Sequence, residues 1–482
     1  MTYVHPAPQL QELFASMPQE DVMKAVQEPY GPGSLGIGEW IHWDRLRHLD
    51  PPDDLSHEQW WLGIKMARSP LLRPFPLREA VTRELFAFAM PDEVLRLLHD
   101  VDRHCAGEIA MPEVVTSDEQ ARQHYLVNSL MEEAIRSSQL EGATTSRRRA
   151  VELLRTGLTP RDRSERMILN NYRALEFIRG MGNRLTPALV LELQRILTEG
   201  TLDNPDAAGR LQRPDEDRVG VYDVTDGSVV HRPPRAEELP ERLDTLCAFA
   251  NSEDEATPFM HPVVRAVLIH FWLGYDHPFE DGTGRTARAL FYWSMRQSGY
   301  WLTEYLSISR ILRRAPAKYS NAYVLTETDD GDATYFVIHQ LGVINTAVSE
   351  LHAYLARKVR EIQAVERQIT ATGDLNHRQL ALLGDALRTP DRRYTYASHA
   401  TSHGVTPETA RTDILHLHRL DFLQRVPGGR RHVYLAAPGL AERLRGSEGR
   451  RGHSGGETAD IPRDERDAGI AEEGLEPPTR GL

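Results

Sequence analysis

Residues 277–288 hold the side chains of this sequence that are best suited to chemistry. The segment contains a histidine, an aspartate, two glycines and two arginines: His277, Asp281, Gly282, Gly284, Arg285 and Arg288. Glycines at the start of a helix let backbone amides approach an anion closely, and the helix dipole favours negative charge there. The arginines are three positions apart, so they share a helix face and can both contact a polyphosphate.

Two further side chains of this segment supply what phosphate transfer needs. Asp281 is placed where a carboxylate can hold Mg²⁺ against phosphate oxygens. His277 titrates near neutrality and can take a proton from an attacking hydroxyl. The pattern therefore predicts a phosphate-transferring centre. An Asp-Gly-Thr-Gly run is also typical of actin-like ATPases, but their loop joins two strands, whereas both flanks here are typical of helices.

The segments that must position this centre have a mostly helical period. An apolar run over residues 263–275 precedes it and a second run over residues 287–297 follows it, and both predict helices. Residues 219–230 differ, because β-branched residues flank an Asp-Gly pair and so predict a β-hairpin. We therefore expect a helical middle domain, residues 116–365, with one exposed hairpin.

At these residues the chain resembles the Fic family, whose signature is His-x-Phe-x-Asp/Glu-Gly-Asn-Gly-Arg-x-x-Arg. All signature positions match except Thr283, where the family usually has asparagine. The resemblance implies a Fic-type helical bundle that transfers AMP from ATP, with Mg²⁺, to a serine, threonine or tyrosine hydroxyl of a target protein, self-modification included.

The resemblance also assigns roles to individual residues. It implies that His277 is the general base, Asp281 the Mg²⁺ ligand and Phe279 a buried anchor. The implied phosphate-binding residues are Gly282, Thr283, Gly284, Arg285 and Arg288. Threonine keeps a hydroxyl donor but lacks an amide, so we expect Thr283 to affect the rate or the nucleotide preference.

A second segment, residues 137–142, resembles the family's inhibitory motif through Ser137, Glu141 and Gly142. The resemblance implies that Glu141 pairs with Arg288 and misaligns ATP, which makes the protein autoinhibited. By itself the pattern is more typical of a helix end with a solvated glutamate. The hairpin at residues 219–230 similarly resembles the family's flap, which aligns the target segment by β-augmentation; the alternative is an ordinary surface hairpin.

Residues 375–445 form a separate unit with 11 arginines against 6 acidic residues, a net charge of +5. The predicted order of helix, helix, turn, helix and hairpin resembles a winged helix-turn-helix. One interpretation is DNA binding, with residues 406–419 in the major groove and Arg430 and Arg431 on the backbone. The other is a protein contact or dimerisation.

Composition limits the remaining alternatives. The chain has 482 residues, 40% hydrophobic and 26% charged, with a net charge of −13. Residues 1–115 are expected to form an N-terminal helical domain, and the Gly-, Pro- and charge-rich residues 446–482 a disordered tail. The sequence has no apolar run of transmembrane length, no signal-peptide pattern and only two cysteines. We therefore expect a cytoplasmic protein without membrane contact.

The sequence thus predicts a mainly α protein adenylyltransferase restrained by Glu141. One alternative is a DNA-associated regulator whose Fic centre senses nucleotide or is weakly active, which Thr283 favours. Another is removal of AMP from a modified protein, with Glu141 orienting a water molecule. Tyr319, Asn321 and Tyr323 are candidates for the adenine side, although tyrosines at such spacing are more typical of a core.

Overall fold

The computed structural model describes most of the chain. The described residues are 4–27, 39–52, 55–105, 119–218, 221–222, 229–251, 259–371, 375–388, 392–427 and 432–440. The chain divides into two compact units, Met1–Arg357 and Lys358–Leu482. Helices dominate both, so the prediction of a mainly α protein is confirmed. The predicted disordered tail, residues 446–482, lies outside the described residues.

The described residues of the first part of the larger unit form five α-helices and one hairpin. The helices are α1 (Leu10–Ser16), α2 (Gln19–Gln27), α3 (Trp43–Leu46), α4 (His57–Arg68) and α5 (Asp92–Cys105). Strands β1 (Arg73–Arg78) and β2 (Leu85–Phe88) pair antiparallel and add a hairpin to a region expected to be helical. Phe75 and Phe86 of this hairpin lie in the same core as the helices that follow, whereas Leu13, Trp60 and Trp61 form a smaller core.

Ten further α-helices and two short strands are described in the rest of the larger unit. The first five helices are α6 (Glu119–Leu140), α7 (Arg147–Thr156), α8 (Arg163–Gly180), α9 (Pro187–Thr198) and α10 (Leu239–Ala250). The others are α11 (Pro262–Asp276), α12 (Thr283–Gln297), α13 (Ile308–Arg314), α14 (Pro316–Glu327) and α15 (Thr334–Ala371), which continues past residue 357. Strands β3 (Val221–Tyr222) and β4 (Val229–His231) pair antiparallel; the predicted turn between them lies outside the described residues.

Helices α11 and α12 form the centre of this unit. Nearly every residue of α11 from Val263 onward is buried, as expected for a helix that is apolar on all sides. Helix α12 is buried from Arg285 to Met295. The loop that joins them, residues 277–282, is therefore fixed at both ends by packed helices, which is what a precise site requires.

The smaller unit contains helices α16 (His377–Arg388), α17 (Tyr396–His403) and α18 (Pro407–Arg419), and the antiparallel strands β5 (Leu423–Val426) and β6 (Val433–Ala436). Thr406 caps α18 and Pro407 occupies its first turn. Across the described residues, none of the helices has the length and hydropathy that crossing a membrane would need.

Candidate active site

The loop between α11 and α12 begins at His277, whose backbone has an unusual conformation. His277 ends α11 in the left-handed region, with φ 42° and ψ 57°, and its amide donates to the Leu273 carbonyl at 3.1 Å. A non-glycine residue at positive φ is uncommon and must be held by its surroundings. Phe279, two residues later, is fully buried, and the Pro278 carbonyl accepts from the Gln212 amide at 2.9 Å. These contacts hold the loop in place.

Two glycines lie at the start of α12, and a side chain at either position would meet a different neighbour. Gly282 is the N-cap at φ 87°, and a Cβ there would lie 2.8 Å from Cγ2 of Thr198. A Cβ at Gly284 would overlap the Glu141 carboxylate and crowd the Arg288 guanidinium. The helix N-terminus is thus open to a close approach by an anion, and a glutamate carboxylate already lies against it.

Arg288 is the buried cation of the site and is fully engaged by the end of α6. Its side chain is 1% exposed. Its Nε donates to Ser137 Oγ at 3.0 Å, and one terminal nitrogen donates to the Ser137 carbonyl at 3.2 Å and to Glu141 Oε1 at 2.8 Å. The other terminal nitrogen is buried without a partner among the described residues. Burial lowers the pKa of Arg288, but Glu141 outweighs it, so the pKa is raised overall.

Arg285 and Asp281 contact each other and the surrounding framework. Arg285 is fully buried and donates to the Leu197 carbonyl at 3.0 Å and to Asp281 Oδ1 at 3.0 Å. Asp281 Oδ1 also accepts from the Gly282 amide at 2.5 Å. Among the residues that the structure describes, the second oxygen, Oδ2, accepts one long contact of 3.4 Å, from Arg163, and the side chain is 30% exposed. The Asp281 carboxylate therefore keeps one oxygen free enough to bind a cation.

The electrostatics around His277 favour a neutral imidazole. Burial, followed by the charges of His231 and Arg218, lowers the pKa of His277 to about 4. Its Nδ1 is buried without a partner among the described residues. A general base must be unprotonated before it reacts, and His277 meets this condition at neutral pH.

One cavity brings part of the predicted site together. The predicted residues that do not line it are Ser137, Gly142, Asp281, Gly282 and Arg285. Its volume is about 200 Å³, below the roughly 300–1,000 Å³ of most small-molecule sites. The lining residues that the sequence had predicted for the site are Glu141, His277, Thr283, Gly284, Arg288, Tyr319 and Tyr323. Asn321 does not line it and faces a different cavity. Thr283 is 3% exposed and its hydroxyl has no partner among the described residues, so the cavity wall carries unused donors.

Several lining residues were not predicted from the sequence, and His231 and Glu327 are two of them that carry titratable side chains. His231 ends β4; its Nδ1 lies 2.7 Å from Glu327 Oε2 and its Nε2 2.7 Å from the Tyr275 carbonyl. Both ring nitrogens face acceptors, so the imidazole donates from both. Burial lowers the pKa of His231, but the hydrogen bond and charge of Glu327 outweigh it, and the pKa is raised. In the sequence, the position of His231 is marked only by the Pro233-Pro234 pair two residues later, which ends the hairpin.

His231 and Arg218 attach both ends of the β3–β4 hairpin to the end of α11. Arg218 Nε donates to the Pro234 carbonyl and one of its terminal nitrogens to the Asp276 carbonyl, both at 2.8 Å. His231 contacts the preceding carbonyl, that of Tyr275. Arg218 and His231 therefore contact both the hairpin region and the residues directly before His277.

The raised pKa of His231 gives a stability prediction. The folded-state pKa lies above the ordinary value, so the His231–Glu327 pair stabilises the fold fully below about pH 6.5 and this contribution is lost as the pH rises through the folded-state pKa. Glu327→Gln should lower the free energy of unfolding by about 1–3 kcal/mol at pH 6, and by less at pH 9. Urea unfolding at both pH values measures this; an equal loss at both would contradict the charged pair.

The segment that carries this site lies within a region that matches a known protein family. Residues 184–295, which include the 277–288 segment, match the model of the Fic/DOC family. The larger unit therefore contains a Fic domain, as predicted.

Individual relatives support the same assignment over short segments. The chain is 37% identical over 70 residues to a protein adenylyltransferase Fic of Nematostella vectensis, covering 14% of this chain and 16% of that relative. It is 42% identical over 64 residues to the protein adenylyltransferase fic-1 of Caenorhabditis briggsae, covering 13% of this chain and 11% of that relative. The chain thus spans only a small part of the length of these curated relatives. Among solved structures, a Fic family protein from Desulfovibrio desulfuricans G20 aligns with a TM-score of 0.48 and 18% identity, over 72% of this chain and 96% of that one.

Proposed function

We propose that this chain is a protein adenylyltransferase that transfers AMP from ATP to a serine, threonine or tyrosine hydroxyl of a target protein or of itself. The observation that carries the proposal is the cavity in which His277, the Gly284 backbone and the buried Arg288 lie together. Unpartnered buried donors on Arg288 and Thr283 support a ligand rich in acceptor oxygens. The test is transfer of label from the α-phosphate of ATP by the Glu141→Gly variant.

The reaction follows from the positions of these groups. The neutral His277 imidazole accepts the proton of the target hydroxyl, whose oxygen attacks the α-phosphorus. The bond from this phosphorus to the β-phosphate bridging oxygen breaks, and pyrophosphate leaves while AMP stays on the target. Arg288 and the backbone amides at the start of α12 hold the phosphates, since positioning and charge stabilisation supply most of the rate in such transfers.

Asp281 is suited to hold the magnesium ion that ATP carries. The described residues include no cluster of three or more histidine, cysteine, aspartate or glutamate side chains that could hold a metal by themselves. A site of one carboxylate completed by phosphate oxygens and water is typical of Mg²⁺ bound with a nucleotide. Asp281 Oδ2, whose 3.4 Å contact with Arg163 is long, fits that role, and the ion would offset negative charge on the phosphates.

Glu141 is proposed to restrain this activity. Its carboxylate lies where the γ-phosphate would contact Arg288, and it occupies space above Gly284. ATP that enters beside it would bind with the α-phosphate out of line.

A rival function, removal of AMP by a water that Glu141 orients, uses the same groups and predicts the opposite effect of removing Glu141. A nucleotide-sensing regulator with little transfer, the rival that Thr283 favours, predicts ATP binding without label transfer.

We also propose that the smaller unit contacts DNA as a winged helix-turn-helix. The single observation that favours DNA is the charge distribution on α18. Arg411 and Arg419 are exposed, whereas Asp413 is 2% exposed and pairs with Arg378 at 2.7 Å. Glu408 is also exposed and pairs with Arg411 at 3.4 Å. The exposed charged residues of α18 are thus two arginines and one glutamate, in a chain whose net charge is −13. The predicted basic tip, Arg430 and Arg431, lies outside the described residues.

The DNA proposal is tested by salt dependence. Arg411→Ala combined with Arg419→Ala should weaken binding of duplex DNA and reduce the slope of log K against log salt by about 2, because each arginine releases about one counterion. Fluorescence anisotropy between about 50 and 200 mM salt measures the slope. An unchanged slope, or no DNA binding by the unaltered protein, would favour a protein contact instead.

A further inference from the structure

Helix α6 carries a buried glutamate that the site chemistry does not use. Glu133 is 2% exposed and faces the start of α13. Its Oε2 accepts from Ser307 Oγ at 2.8 Å and from the Ser309 amide at 3.1 Å, and its Oε1 accepts from Ser309 Oγ at 2.5 Å. Ser307 is the N-cap of α13. Three donors thus hold one carboxylate in a fixed position.

A carboxyl group at this depth needs an explanation. No lysine, arginine or histidine of the described residues lies within ion-pair distance of Glu133. Two serines donate hydrogen bonds to it, and the charge of Arg288 acts on it from further away. Burial raises the pKa of Glu133, although Ser309 and Ser307 act in the opposite direction. Burying such a group is costly, and breaking its contacts leaves donors unsatisfied. The hydrogen bonds to Glu133 are directional, so they constrain the position of α6 more precisely than apolar packing would.

The position of Glu133 along α6 links it to the inhibitory contact. Glu133, Ser137 and Glu141 are spaced by four residues, so they follow one face of the helix and its final turn. Ser137 and Glu141 both contact Arg288. Eight residues of helix span about 12 Å. A shift of α6 at Glu133 would therefore move the Glu141 carboxylate relative to Arg288.

We infer that Glu133 is a positioning residue for autoinhibition: its bonds to Ser307 and Ser309 hold α6 at the depth where Glu141 reaches Arg288. This inference rests on the proposed function, because it describes how the restraint on that site is built. Separate contacts keep α6 in the fold when Glu133 is changed. Asn171 donates to the Ala134 carbonyl and to Ser138 Oγ, both at 3.3 Å. Loss of the Glu133 bonds would thus loosen the helix end without removing the helix.

The experiment compares AMP transfer by four full-length proteins. Glu133→Met removes the acceptors at similar volume and should raise transfer about tenfold over wild type, within the usual range of coupling between sites. Glu133→Gln keeps an oxygen for Ser307 and the Ser309 amide and should remain near wild type. Glu132→Met is the matched control, because Glu132 is the next residue along the helix and pairs with Arg136 and Arg147 instead. The Glu132→Met variant should also remain near wild type.

Combination with Glu141→Gly separates positioning from other effects. Glu133→Met should add nothing in the Glu141→Gly background, because the contact that it loosens is already absent. A full additional rise in that background, or no rise in Glu133→Met while Glu141→Gly is active, would overturn the inference. If Glu133→Met fails to fold by thermal unfolding, Ser307→Ala with Ser309→Ala removes the same side-chain bonds and is held to the same outcomes.

Hydrogen exchange gives a readout that does not depend on catalysis. Backbone amides of residues 134–142 should exchange faster in Glu133→Met than in wild type and should be unchanged in Glu132→Met. Equal exchange in all three proteins would overturn the inference. If Glu141→Gly transfers no AMP, the proposed function fails, and this exchange measurement still decides whether Glu133 holds the helix end.

Discussion

Replacing Glu141 by glycine is expected to raise AMP transfer by about 10- to 100-fold, the usual range for one coupled contact. The change frees the Arg288 guanidinium, which now donates to Glu141 Oε1 at 2.8 Å. It also opens the space above Gly284, where the Glu141 carboxylate lies. Both effects let the γ-phosphate take the place of the glutamate, which aligns the α-phosphate with the attacking hydroxyl. Initial rates with labelled ATP and a lysate as target measure the change.

Two glutamine variants make the expectation specific. Glu141→Gln keeps the length of the side chain but removes its charge, so it should give an intermediate rate. Glu132→Gln neutralises a glutamate of the same helix that pairs with Arg136 and Arg147, and it should leave the rate at the wild-type level. Equal rates for wild type and Glu141→Gly would contradict autoinhibition, and a lower rate in Glu141→Gly would favour AMP removal.

Adding His277→Ala to Glu141→Gly is expected to reduce transfer by about 10²- to 10⁴-fold, the range that general acid–base catalysis supplies. His277 is the cavity-lining residue with a lowered pKa, about 4, and its imidazole is therefore neutral and ready to accept a proton. The loss should appear in kcat rather than in ATP affinity, because the phosphates are proposed to bind Arg288 and the α12 backbone. Single-turnover rates and ATP titrations separate the two.

A control histidine lies at the other end of the same helix. His261 is the N-cap of α11, and its ring accepts from the Val263 amide. His261→Ser keeps a capping oxygen and should leave the transfer rate of Glu141→Gly unchanged. Comparable losses in His261→Ser and His277→Ala would indicate damage to the helix rather than loss of a base.

The sequence predicts the local parts of the site well. Glycines, arginines and a histidine at fixed spacing between two apolar runs define the 277–288 segment, and each apolar run is long enough to indicate its own helix. The mainly helical fold and the Fic domain follow from these signals and are confirmed. Local periodicity suffices here because the residues that form the loop are adjacent in the chain.

Contacts between distant segments could not be predicted in the same way. Glu133 meets Ser307 across 174 residues, and His231 meets Glu327 across 96. A buried glutamate on an amphipathic helix has the same sequence pattern as an exposed one until the packing is known. Arg285 is another example, because its bond to the Leu197 carbonyl depends on how α9 packs against α12. Tertiary packing decides these roles.

Adenylyl transfer is distinguished from its alternatives with purified Glu141→Gly protein, Mg²⁺, a lysate and ATP labelled on either the α- or the γ-phosphate. The account predicts protein labelled only from the α-position, with the label lost when His277→Ala is added. Label from the γ-position would mean phosphate transfer and would contradict the account. No label from either position, with ATP still bound, would contradict it as well and would favour the nucleotide-sensing regulator.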